Sequence, residues 1–161
     1  SMKNLFVVSI FLALFIGCET APKTNGFVTS IENSTWQMGT QASVDLVVDL
    51  DKHWGVDYDK MKTFFADTVK GSFADGESFE TLDGFIAQVK KGMEENPGEQ
   101  NWTMNYAFCI DLDPTIGGDH VNAGFTVEAT SKKPKRNINE WYYIKNSKIV
   151  GFNQSQQVVL D

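Results

Sequence analysis

Residues 102–112 alternate the large apolar side chains Trp102, Met104, Tyr106, Phe108 and Ile110 with Thr103, Asn105, Ala107 and Cys109. That two-residue period is the mark of a strand with one buried face. It returns in Val121, Ala123, Phe125 and Val127, set against Asn122, Gly124, Thr126 and Glu128. Residues 139–144 and 148–159 repeat it on either side of Asn146-Ser147, a pair suited to a tight hairpin turn. Four half-buried strands in succession cannot bury their apolar face alone, so the chain must supply a covering layer.

The preceding segment predicts that layer. Val44, Val47, Leu50 and Trp54 recur at helical spacing over residues 41–54, and Gly55 closes the helix. Asp57 caps a second short helix that buries Met61, Phe64 and Phe65. Residues 68–73 and 78–81 read as two short strands around the turn Ala74-Asp75-Gly76. A third helix starts at Leu82, carries Phe85, Ile86, Val89 and Met93 on one face, and is broken by Asn96-Pro97-Gly98. Helices first and an antiparallel meander last give an α+β domain, with three helices packed on one face of a curved antiparallel sheet.

Ahead of the domain, Lys3 and the apolar run 5–16 have the make-up of a signal peptide, and the run is too short to span a bilayer. The segment Leu14-Phe15-Ile16-Gly17-Cys18 resembles a bacterial lipobox. That resemblance implies cleavage after Gly17, lipid on Cys18, and attachment to the cell envelope. Ser1 before Met2 reads as a tag residue. The expected organisation is therefore 1–17 tag residue and signal peptide, 18–39 lipidated cysteine and polar tether, and 40–161 globular domain.

The formal charge is −7, and removing residues 1–17, which carry only Lys3 as a charged side chain, makes it −8. An acidic domain argues against nucleic acid as a partner, because phosphate binding needs clustered cations. The run Lys132-Lys133-Pro134-Lys135-Arg136 is expected as a solvated loop between strands. With Cys18 consumed by lipid, Cys109 has no disulfide partner in the chain and reads as a small buried hydrophobe. Asp111-Leu112-Asp113 lacks the glycine and glutamate of a calcium loop, and Asp49, Asp51 and His53 read as a solvent-facing run, so neither a metal nor another cofactor is expected.

The order of elements and three local phrases resemble the nuclear transport factor 2-like superfamily, in particular its SnoaL-like domains. The phrases are Trp54-Gly55-Val56-Asp57-Tyr58-Asp59-Lys60-Met61, Phe65-Ala66-Asp67-Thr68-Val69, and Glu140-Trp141-Tyr142-Tyr143-Ile144 continuing through Lys148-Ile149-Val150. The resemblance implies a cone with a pocket between helices and concave sheet, and a homodimer formed through the sheet. Members include isomerases, cyclases, ligand binders and proteins without chemistry, so the fold alone does not set the function.

Steroid isomerases of this fold place a carboxylate base just after the second helix and an acid on the third meander strand. Lys70-Gly71-Ser72-Phe73 holds no carboxylate where the base would stand, whereas Glu140 falls near the acid position. Strand parity and the resemblance together give a candidate ligand-binding lining: Trp54, Phe73, Trp102, Tyr106, Phe125 and Tyr142, with Phe152, Glu140 and Gln154. The expectation is non-catalytic binding of a small apolar or amphipathic ligand. The alternatives are an isomerase- or hydratase-like enzyme using Glu140, or a protein-interaction module of an envelope complex.

Overall fold

The computed structural model describes residues 28–29, 36–96 and 101–160, and the lipobox around Cys18 lies outside the described residues. Strand β1 (Gln37–Met38) is followed by helix α1 (Gln41–His53), helix α2 (Tyr58–Lys62), strands β2 (Phe65–Ser72) and β3 (Ser78–Phe79), and helix α3 (Leu82–Glu95). Strands β4 (Trp102–Asp111), β5 (Asp119–Val127), β6 (Arg136–Lys145) and β7 (Lys148–Val158) form the expected meander. No helix among the described residues is long and apolar enough to cross a membrane.

The seven strands make one sheet in the order β1-β4-β5-β6-β7-β2-β3. It is mixed rather than wholly antiparallel, because β2 runs parallel to β7 with Phe65 opposite Ile149 and Gly71 opposite Phe152. Strand β2 arrives from α2 and not through a hairpin with β7, so no tight turn forces that pair to be antiparallel. The two backbones approach closely at Gly71, where an added Cβ would lie 1.7 Å from the Phe152 carbonyl oxygen. Gln37 and Met38, read from sequence as the end of the tether, pair with Asp111 and Ile110 at the sheet's other edge.

Local chemistry sets the boundaries of these elements. Asp57 caps α2 by accepting the Lys60 N–H at 2.9 Å, as its position predicts. Asn146 (φ 51°) and Ser147 (φ 57°) both adopt the left-handed conformation that a two-residue hairpin turn requires. Thr40 caps α1, accepting the Ser43 N–H at 3.3 Å. Asp119, at the start of β5, accepts from Thr40 N at 3.1 Å, Thr40 Oγ1 at 2.5 Å and Ser43 Oγ at 2.6 Å. This clamp joins the N-terminus of α1 to the sheet, and the rest of the helix then lies along β4 and β5.

The helices cover the concave face. Phe85 of α3 is fully buried and meets the rings of Phe65, Phe79 and Phe152 at centroid distances of 4.4, 5.2 and 5.6 Å. Val47 and Leu50 of α1 and Met61 of α2 complete the same core. A single core of this kind stabilises the domain chiefly through apolar burial, at about 25 cal/mol per Å².

Candidate ligand-binding site

Inward parity on β6 runs through Arg136, Ile138, Glu140, Tyr142 and Ile144, while Trp141 and Tyr143 face the other way. The register expected for Glu140 and Tyr142 therefore holds. Between the concave sheet and helices α1 and α3 lies a cavity of about 240 Å³. Trp54, Phe73, Trp102, Phe125 and Tyr142 contribute apolar wall, and Glu140 and Gln154 contribute polar groups.

Two residues expected in that wall are elsewhere. Tyr106 points to the outer face and is 47 % exposed, its hydroxyl accepting from Asn139 Nδ2 at 2.9 Å. The cause is a bulge on β4: Met104 pairs with Phe125 and Tyr106 with Gly124, leaving Asn105 as an extra residue. One inserted residue reverses the facing of everything after it. Trp102 and Met104 thus pack inward, whereas Tyr106 and Phe108 do not. Gly124 accommodates the change, since an added Cβ there would stand 2.3 Å from the Tyr106 ring. Phe152 faces inward as expected but is wholly buried behind Trp54 and Tyr142, with ring centroids at 5.9 and 5.3 Å, and forms core rather than wall.

Glu140 is the electrostatic centre of the cavity. Its Oε2 accepts a short hydrogen bond from the Tyr142 hydroxyl, and its Oε1 accepts from Gln154 Nε2 at 2.9 Å. The oxygen of the same Gln154 amide accepts the Ala74 N–H at 3.3 Å, which orients the amide with its donor towards Glu140. Burial raises the Glu140 carboxyl from 4.5 to about 7; its two hydrogen bonds oppose that rise and the charge of Asp51 adds to it. Burial likewise lifts the Tyr142 phenol well above its ordinary range, with Glu140 adding to the effect.

Asp51 is the residue that sequence reading misplaced. Instead of joining a solvent-facing run, it lines the cavity from α1 and accepts the Trp102 indole N–H at 2.9 Å. Half-burial raises its pKa, against the pull of that hydrogen bond. Its neighbours behave differently: Asp49 pairs with Lys52 at 3.2 Å on the surface, and the His53 ring stacks on Phe64 at 6.0 Å. The signal was present in the spacing, because Asp51 lies four residues after Val47 and three before Trp54, on the buried stripe of α1.

The basic run is also only partly a solvated loop. Lys132 is exposed, but Lys133 and Arg136 line the cavity, and Arg136 is buried at the start of β6. Lys91, in the same lining, pairs with Glu77 at 2.9 Å. Lys70-Gly71-Ser72-Phe73 leaves the isomerase base position without a carboxylate, and Asp75 beyond it serves its turn by accepting the Glu77 N–H at 2.9 Å. Cys109 is buried beside Asp119, and burial together with that carboxylate pushes its thiol up to about 12. Among the described residues, no group of three or more His, Cys, Asp or Glu side chains is placed to hold a metal ion.

No family profile matches this chain, and no curated protein matches its sequence. Solved structures do match its fold. A protein from Jannaschia sp. CCS1 assigned as a SnoaL-like polyketide cyclase aligns with TM-score 0.58 at 12 % identity, covering 75 % of this chain and 91 % of the other. An LEH-like epoxide hydrolase of M. tuberculosis aligns with TM-score 0.54 at 7 % identity, covering 73 % and 84 %. A protein with a ketosteroid isomerase-like fold from Catenulispora acidiphila DSM 44928, in complex with trimethylamine, aligns with TM-score 0.54 at 14 % identity, covering 68 % and 83 %. At these identities the likeness is one of fold: a nuclear transport factor 2-like cone of helices on a curved mixed sheet.

Proposed function

We propose that this chain is a binding protein of the bacterial cell envelope, anchored by lipid on Cys18, whose cone takes a small apolar or amphipathic ligand. One observation carries the binding reading: a cavity of about 240 Å³ whose aromatic wall surrounds a buried, oriented carboxyl group. Apolar lining with a few convergent polar groups is the usual make-up of a small-molecule site. That the Catenulispora relative of this fold was solved with a small molecule agrees with it.

Native mass spectrometry of protein purified from a bacterial host tests the binding. A retained mass that Trp102→Ala removes is the expected result; a clean apo mass from several hosts would sink the ligand reading in favour of an interaction module. The anchor has its own test. Expression with the natural leader should add a diacylglyceryl mass to Cys18 and send the protein to the membrane fraction, and Cys18→Ser should abolish both.

A second reading, acid–base chemistry at Glu140, is favoured by the value of about 7 that burial gives this carboxyl. A group poised near neutrality exchanges its proton at the pH where an enzyme works. Carbon-detected NMR of the Glu140 carboxyl decides whether this reading survives: a midpoint near 4.5 removes it.

A further inference from the structure

Two carboxyl groups that line the cavity come from opposite layers, Asp51 from α1 and Glu140 from β6, and the charge on Asp51 adds to the cost of ionising the buried Glu140. Their hydrogen-bond donors are an indole, a phenol and an amide. None of these carries a positive charge, so none neutralises the pair. Withdrawing carboxylates from water without a counter-charge is unfavourable, and an ionised carboxylate has about four acceptor sites, more than these donors fill.

The remaining charges point the same way. Five acidic residues line the cavity, Asp51, Asp75, Glu77, Glu95 and Glu140, against Lys91, Lys133 and Arg136. Lys91 is paired with Glu77. Arg136 stands four residues from Glu140 along β6, about 13 Å at the strand rise, and Lys133 belongs to the loop before it. Arg136 and Glu140 are both buried and Asp51 is half-buried, and the groups that donate to the two carboxyls are all neutral. The wall around them is aromatic, with Trp54, Trp102 and Phe125, and aromatic faces attract organic cations most strongly when water is excluded.

We propose that the ligand is a small organic cation, an amine or quaternary ammonium bearing an apolar group, with its charge between Asp51 and Glu140 and its apolar part against Trp54, Trp102 and Phe125. This assignment rests on the reading of the cone as a ligand site. The cation supplies positive charge beside two carboxyls whose hydrogen-bond donors are all neutral, and the apolar group fills the remainder of the cavity. At pH 8, where Glu140 has released its proton, an anion would meet two carboxylates and a neutral ligand would bring them no opposite charge.

Calorimetric titration of the purified full chain at pH 8 with benzylamine, benzyltrimethylammonium, benzyl alcohol and benzoate tests the class. Both cations should bind at least about tenfold more tightly than benzyl alcohol, about 1.4 kcal/mol, and benzoate should not bind. Asp51→Asn and Glu140→Gln, which preserve side-chain shape, should each weaken benzylamine about tenfold while weakening benzyl alcohol by less. Benzyl alcohol binding as tightly as benzylamine would overturn the cation assignment and leave the ligand site standing. Failure of all four probes, with no change in the fluorescence of Trp54 and Trp102, would overturn both.

Discussion

Glu140 shows how one side chain couples the site to stability. The unfolded chain releases this proton near 4.5, whereas the folded protein holds it to about 7. A raised carboxyl pKa means that the folded state binds the extra proton, so this group's contribution is most favourable below pH 4.5. It declines as pH rises through 7, by about 3 kcal/mol at ~1.4 kcal/mol per unit. Glu140→Gln should remove that slope: urea unfolding at pH 4.5, 6 and 8 should show the wild type weakening relative to the variant as pH rises. The Gln side chain can keep both neighbours, since the Tyr142 hydroxyl accepts as readily as it donates. Parallel stability curves for the two proteins would mean that Glu140 titrates normally. Glu140 and Gln154 were both legible from strand parity. Asp51 was not, because three alternating polar residues read as a solvated run although helical spacing put the middle one on the buried stripe.

At the scale of elements, two features place the cavity: the bulge on β4 and the parallel pairing of β2 with β7. The bulge turns Trp102 inward and Tyr106 outward on one strand, which uninterrupted alternation cannot do. A bulge has no distinctive side-chain code here, since Asn105 suits a plain strand on its polar face, so the sequence pattern continues unbroken while the backbone slips. The β2–β7 pairing depends on Gly71, where any Cβ would press into the Phe152 carbonyl. Gly71→Ala should therefore cost about 3 kcal/mol or prevent folding, as overpacking against rigid backbone does. Gly92→Ala is the control, because an added Cβ there meets nothing within 4 Å, and removal of a helical glycine should stabilise by up to ~1 kcal/mol. Thermal melts of the two variants compare them directly, and equal melting temperatures would mean that the β2–β7 approach is looser than described.

For the molecule as a whole, the outer face of the sheet bears on assembly. Tyr106, Phe108 and Trp141 are 47 %, 42 % and 37 % exposed and form one aromatic cluster, with Phe108 edge-on to Trp141 at 6.1 Å. Exposed aromatic clusters of this kind favour association. The homodimer expected from the family resemblance should use this face, and Phe108→Lys with Trp141→Arg should convert a dimer to monomer in light scattering without lowering the melting temperature. A monomeric wild type would leave the cluster to another partner. The sequence by itself determined the class of fold and the succession of elements, because hydrophobic period, caps and turns are local and act through neighbours in the chain. It also placed Glu140 and Tyr142 on the concave face, since parity on an unbroken strand is local as well. Tertiary structure alone decided the bulge, the parallel β2–β7 pair, the burial of Phe152 behind the wall, and the placing of Asp51 and Glu140, from two layers, on one cavity. Those outcomes depend on which backbones approach each other over long sequence separations, and no local pattern encodes that distance.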